Sequence, residues 1–171
     1  RRKLIARLQE LAVKGISIYF DCNYRPHLWS SKDEAIELYR QLYGISSIVF
    51  LTTEEAEELL DGAVGETVHQ KLQDYGCSES VLKDGEKPCT IFIDQTLIEV
   101  AAEKVEKVVD TTAAGDSFSA VYLVARKFGC PVEKAAQMAH KTAAYVVCHK
   151  GAVAPLEKMV ITGKDIGKCS S

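Results

Sequence analysis

The residues whose types and spacing best suit them to chemistry run from Asp110 to Phe118, reading Asp-Thr-Thr-Ala-Ala-Gly-Asp-Ser-Phe. Ala113, Ala114 and Gly115 carry almost no side chain, so an anion can come close to their backbone. A long segment with an apolar stripe follows. A helix opening there would aim its free N–H groups and the positive end of its dipole at the same spot. That arrangement suits a phosphate. Asp116 falls at the helix entrance, where a carboxylate beside a transferring phosphoryl group can accept the proton of an attacking hydroxyl. Aspartate is also a favoured helix cap, and the residue pattern alone leaves both roles open.

Three other polar clusters each follow a short apolar run. Asp21-Cys22-Asn23-Tyr24-Arg25 comes after Ile16 to Phe20, Thr52-Thr53-Glu54-Glu55 after Ile48 to Leu51, and Asp84-Gly85-Glu86 after Ser80 to Lys83. The Arg25 guanidinium can grip a carboxylate or phosphate through two parallel hydrogen bonds, or pair with a nearby acid. Asn23 can hydrogen-bond a phosphate or shape the turn. Gly85 lets a ligand approach the backbone beside the charge of Lys83, or serves a plain Asp-Gly turn. Trp29 reads as a packing residue, His140 as a helix-surface or packing histidine, and His149 has no partner visible in the sequence.

Periodicity supplies the elements that must position these clusters. Leu4, Ile5, Leu8, Leu11 and Ala12 recur at helical spacing up to Gly15, and Ile16 to Phe20 reads as a buried strand. A helix over Asp33–Tyr43, a strand at Ile48–Leu51 and a helix capped by Thr53 and running through Leu60 follow. A helix near Thr67–Gln73 and a strand at Ser80–Lys83 come next. Strands near Thr90–Ile93 and Leu97–Ala101 flank the turn-prone pair Asp94-Gln95. Two long helices complete the pattern, one striped by Phe118, Val121, Tyr122, Ala125 and Phe128. The other carries Val132, Ala135, Ala136, Ala139, Ala143, Val146 and Val147. Helices alternating with short apolar strands predict an α/β fold, a doubly wound, mostly parallel sheet with helices on both faces. Ligands in such folds sit at the carboxyl ends of the strands, so all four clusters are expected along one edge.

Composition narrows the function classes. A length of 171 residues, 47% apolar and 26% charged, suits one globular domain. A formal net charge of −3 argues against a dedicated nucleic-acid binder. No apolar run approaches a bilayer span, so no membrane partner is expected. The six cysteines lie without C-x-x-C spacing, which reads as free thiols in a reducing cytoplasm rather than as a zinc site or disulfide framework. Neither G-x-x-x-x-G-K-[ST], G-x-G-x-x-G nor G-x-S-x-G occurs.

The run Asp110 to Asp116 resembles the D-T-x-[AG]-A-G-D signature of the ribokinase-like (PfkB) sugar kinases. Phe20-Asp21-Cys22-Asn23-Tyr24-Arg25-Pro26, with Leu28-Trp29 beyond, is similar to the F-D-x-N-x-R-P…L-W segment of the subfamily acting on 2-keto-3-deoxygluconate. The resemblance extends from about Ile16 to Pro155. It implies an ATP-dependent kinase for a sugar acid, with Asp116 as base, an anion hole at Ala113, Ala114 and Gly115, and Arg25 binding both substrate and phosphate. Asn23, Lys83, Gly85 and Glu86 would join the nucleotide contacts. Thr52 occupies the asparagine position and Glu55 the glutamate position of the family's N-x-x-E, which implies a role for Glu55 with Mg2+. Carbonyls of Asp110 and Thr112, with the turn at Lys150-Gly151-Ala152, would hold a monovalent cation such as K+. The resemblance further implies that residues 1–171 form the C-terminal nucleotide-binding and catalytic part, without the amino-terminal sugar-binding half and lid. An incomplete sheet of this kind is expected to associate, as a homo-oligomer or through its exposed edge. Another sugar or a nucleoside as substrate, and a nucleotide-binding module without phosphoryl transfer, remain the alternatives.

Overall fold

The computed structural model describes residues 1–159, 161, 163–167 and 169. It divides into two compact units, Arg1–Asp84 with Thr90–Ile98, and Gly85–Cys89 with Glu99–Ser171.

The first unit is built on strands β1 (Tyr19–Asp21), β2 (Ile48–Thr52) and β3 (Glu79–Lys83), extended by β4 (Cys89–Ile93) and β5 (Thr96–Val100) in the order β1-β2-β3-β4-β5. Helix α1 (Arg2–Val13) precedes β1, α2 (Lys32–Tyr43) joins β1 to β2, and α3 (Thr53–Leu59) and α4 (Glu66–Asp74) join β2 to β3. These helical crossovers make β1, β2 and β3 parallel. β4 runs antiparallel to β3, because residues 84–88 are too few for the crossover a parallel neighbour needs. The sheet is therefore mixed rather than continuously parallel. At the hairpin joining β4 to β5, Asp94 and Gln95 both take positive φ, 49° and 62°, which fits the twist of a two-residue turn.

Most predicted bounds shift by a residue or so, and two differences have a clear local cause. Ile16 to Ile18 stay outside the ladder. The amide of Ile16 bonds the Leu11 carbonyl at 3.1 Å and so finishes the end of α1 instead. The cap of α3 is Thr52, not Thr53. Its hydroxyl accepts from the Glu55 amide at 3.2 Å, while Glu55 Oε2 accepts from the Thr52 amide at 2.9 Å. This reciprocal box satisfies two otherwise orphaned donors. Thr52→Ala should lower unfolding free energy by about 1 kcal/mol, measurable by urea titration; an unchanged midpoint would deny the cap that role.

Apolar side chains from α2, α3, α4 and β2 make the core of this unit, with Tyr39, Tyr43, Leu51, Leu59 and Leu72 at its centre. β2 buries every residue from Ile48 to Leu51. β1 ends the sheet, and Ile16 and Tyr19 beside it are 50% and 43% exposed.

The second unit is dominated by α5 (Ala114–Lys127) packed on α6 (Val132–Val147), followed by a short α7 (Gly163–Gly167). Ala135, Ala136 and Ala139 on α6 are fully buried, and such small side chains let the two helices approach closely. A disulfide joins Cys130, after α5, to Cys169, which overturns the expectation of six free thiols. Their separation of 39 residues carries no sequence signal; the α5–α6 turn and the end of the chain bring them together. Cys22, Cys77 and Cys89 are buried free thiols, and burial pushes the thiols of Cys77 and Cys89 up to about 11 and about 12. Among the described residues, no helix is long and apolar enough to cross a membrane.

Candidate active site

In the first unit the parallel ladder aligns Asp21 with Phe50 and Thr52 with Lys83. The carboxyl ends of β1, β2 and β3 therefore lie side by side, as expected for clusters at strand ends. Lys83 Nζ pairs with Asp21 Oδ2 at 2.9 Å, across β2 and partly buried, so its charge is already matched by a carboxylate. Beyond β1 the Cys22 amide still bonds the Phe50 carbonyl at 2.9 Å. Asn23 then turns into the left-handed region, φ 41°, and its side chain and that of Arg25 are exposed. The Arg25 guanidinium donates to the Tyr24 carbonyl at 3.2 Å. Glu55 Oε1 accepts from the Tyr24 amide at 2.7 Å. Trp29 packs on Tyr39 with ring centroids 5.3 Å apart, in keeping with its reading as a packing residue.

In the second unit the turn before α5 is locked by Asp110. Its Oδ1 accepts from the amide and hydroxyl of Thr112, at 2.9 and 2.6 Å, and its Oδ2 accepts from the Gly151 amide at 2.9 Å. These bonds, those from Thr112 foremost, pull the Asp110 carboxyl down to about 2. Ala113 occupies the N-cap with φ 61° and no side-chain cap bond, a left-handed backbone that costs an alanine about 1 kcal/mol. Strain of this kind collects at ligand loops. The cap position therefore belongs to Ala113. Asp116 stands in the first turn of α5 with its side chain exposed. The amides of Gly115 and Asp116 open the helix where intrahelical acceptors are lacking.

Beside that turn lies a cavity of about 600 Å³ lined by Gly85, Glu86, Thr111, Ala114, His140 and Ala143, among others. Gly85 holds φ 58°, a conformation that suits glycine. His140 is 8% exposed, lies edge-on to Phe118 with centroids 4.9 Å apart, and its Nε2 is buried without a hydrogen-bond partner. Burial lowers its basicity, opposed by a bond with the Val100 backbone. Buried polar atoms nearly always find partners, so this nitrogen is an exception among the described residues. His140, read from the sequence as a helix-surface or packing residue, lies four residues after Ala136 and three before Ala143, on the buried stripe of α6. His149, expected without a partner, has one: its Nδ1 lies 2.8 Å from the Tyr145 carbonyl.

Among the described residues no cluster of three or more His, Cys, Asp or Glu could hold a metal. The oxygens of Glu55 are engaged by two backbone amides, and those of Asp110 by Thr112 and Gly151. Glu55 and Asp110 are each held by protein donors and are not gathered with other such side chains around a common point among the described residues.

With this geometry in view, the comparisons with known proteins define the class. The family model of the pfkB carbohydrate kinases matches residues 1–159, and the chain belongs to that family. Among curated proteins it is 41% identical over 162 residues to the 2-dehydro-3-deoxygluconokinase of Escherichia coli K12, covering 93% of this chain and 52% of that protein. The enzyme of the same name from Dickeya dadantii is 40% identical over the same shares. The chain thus spans about half the length of these relatives. Among solved structures, a putative ribokinase II from E. coli superposes with TM-score 0.80 at 20% identity, over 96% of this chain and 52% of that one. Aminoimidazole riboside kinase from Salmonella enterica superposes with TM-score 0.78 at 23% identity, over 98% and 56%. These likenesses establish the ribokinase-like fold for the part present.

Proposed function

We propose that the protein carrying this chain transfers the γ-phosphoryl group of ATP to a hydroxyl of a sugar acid, 2-keto-3-deoxygluconate, giving its 6-phosphate. The observation that carries the reading is the strained small-residue turn at Ala113 to Gly115, opening a 14-residue helix beside a cavity walled by Gly85, Glu86 and His140. The names of the relatives supply the substrate class.

In this reading the amides of Gly115 and Asp116, beside the small side chains of Ala113 and Ala114, hold the phosphates against the positive end of α5. The base lies in the cavity against Gly85, Glu86 and His140. Arg25 takes the substrate's carboxylate in a planar, two-bonded grip, and Asn23 adds a hydrogen bond to phosphate. Asp116 orients the attacking hydroxyl and accepts its proton as the oxygen–phosphorus bond forms. The β–γ bridging oxygen leaves on ADP. Lys83, matched by Asp21, contributes mainly to the shape of the strand edge. Magnesium, when bound with ATP, would supply charge neutralisation at the phosphates, with Glu55 in the first turn of α3 just beyond β2. A potassium ion belongs with the carbonyls of Asp110 and Thr112, near the Gly151 turn that Asp110 holds. The open edge of β1 is where further chain or a second copy would pair.

The test is ADP release by the complete polypeptide with 2-keto-3-deoxygluconate, ribose, fructose and adenosine in parallel. The sugar acid should give the highest kcat/KM by at least about tenfold, the worth of one good charged contact. Preference for ribose, fructose or adenosine would overturn the substrate. ATP binding without ADP release on any of them would make this a nucleotide-binding module.

A further inference from the structure

The loop carrying Asn23 and Arg25 leaves the sheet early. Its last bond to β2 is that of the Cys22 amide, and Asn23 then takes a left-handed backbone. Two side chains hold the loop from there. The Tyr39 hydroxyl donates to the Cys22 carbonyl at 2.9 Å from α2, and Glu55 accepts from the Tyr24 amide at 2.7 Å from α3. Glu55 is itself fixed, since its second oxygen closes the capping box on Thr52. Tyr24 is buried, edge-on to Tyr39 with centroids 6.1 Å apart. The two side chains that face outward, Asn23 and Arg25, therefore flank an amide pinned by a carboxylate. Such charge-assisted bonds are the strong ones.

We propose that Glu55 is a positioning residue: its carboxylate bridges the Tyr24 and Thr52 amides and so sets the backbone from which Asn23 and Arg25 reach an anionic ligand. The placement of the loop stands on geometry alone; the ligand's identity as a sugar acid rests on the kinase reading. Each oxygen of Glu55 accepts a backbone amide, which fixes the carboxylate between the two segments it bridges. Replacing it by glutamine removes the charge and leaves an NH2 group opposite one of the two amides. Replacing it by aspartate keeps the charge but shortens the reach by one methylene.

The test uses Glu55→Gln and Glu55→Asp with two readouts. On this chain, amide hydrogen exchange at Tyr24 and Thr52 should quicken by about tenfold or more in both variants, the loss of one charged hydrogen bond. Val49 and Phe50 should exchange as before. In the complete polypeptide, KM for 2-keto-3-deoxygluconate should rise about tenfold in both variants. By contrast, kcat and the magnesium concentration for half-maximal rate should change less than about threefold. Unchanged exchange at Tyr24 would overturn the proposal. So would a large rise in the magnesium requirement that aspartate restores, since that assigns Glu55 to the metal. Loss of protection throughout the first unit in both variants would make it a folding residue and overturn the proposal too. Should no sugar acid be phosphorylated by the parent protein, the kinase reading falls while the exchange result still decides the clamp.

Discussion

On the kinase reading proposed above, Asp116→Asn in the complete polypeptide should lower kcat by about 10²- to 10⁴-fold, the range lost when a positioned general base is removed. The substitution is nearly isosteric, and the residue is exposed in the first turn of α5 with no cap bond to lose. Folding should therefore be little affected. An asparagine can still hydrogen-bond the hydroxyl but cannot take its proton. ATP affinity should hold or improve slightly, because a negative charge has been removed from the neighbourhood of the phosphates. Steady-state ADP release with saturating sugar acid, paired with calorimetric titration of ATP, separates the two effects. Turnover within about threefold of the parent would reject the base assignment, because a loose transition state can tolerate some loss of base strength but not of its proton acceptor. Weakened ATP binding with normal turnover at saturation would place Asp116 in the nucleotide contacts instead.

The elements that position this site were legible because their signals are local. The stripe of Phe118, Tyr122 and Ala125 marks α5, and the buried run at Ile48 to Leu51 marks β2. Asp94-Gln95 marks the hairpin. The parallel direction of β1, β2 and β3 followed from the helical crossovers between them. What escaped was set by spatial neighbours. Thr52 and Thr53 are chemically alike, and the cap falls to Thr52 because only its hydroxyl reaches the Glu55 amide. Thr53 instead donates to the Lys83 carbonyl at 3.2 Å. The antiparallel turn at β4 was readable in principle from the short link after Lys83. Glu55 stood out in the sequence as a candidate for metal, yet its partner Tyr24 lies 31 residues earlier. The Cys130–Cys169 bond and the orphan Nε2 of His140 likewise depend on which residues the folded chain sets beside them.

On the acid side, His69 gives the largest pH effect expected on stability. It lies on α4 and is 1% exposed, with Nδ1 at 2.7 Å from the Ser80 hydroxyl on β3 and Nε2 at 2.9 Å from the Thr90 hydroxyl on β4. One ring nitrogen donates and the other accepts, so the neutral imidazole is fully satisfied. Burial lowers its basicity from 6.5 to about 4. The unfolded chain takes up a proton near pH 6.5 that the folded chain refuses until about pH 4. Stability from this group is thus intact above pH 6.5 and falls by about 1.4 kcal/mol per pH unit between those values, about 3 kcal/mol in all. His140, also depressed by burial, falls in the same direction. The loss tied to Asp110 comes at lower pH, between 3.8 and about 2. Urea titrations from pH 7.5 to 4 on the parent and on His69→Gln isolate the contribution of His69. The variant should be less stable at pH 7.5, because glutamine cannot reproduce both hydroxyl contacts. Its stability should also fall less steeply with acid, so that the gap between the two proteins narrows by about 3 kcal/mol by pH 4. Parallel curves over that range would show that His69 does not titrate as its burial demands.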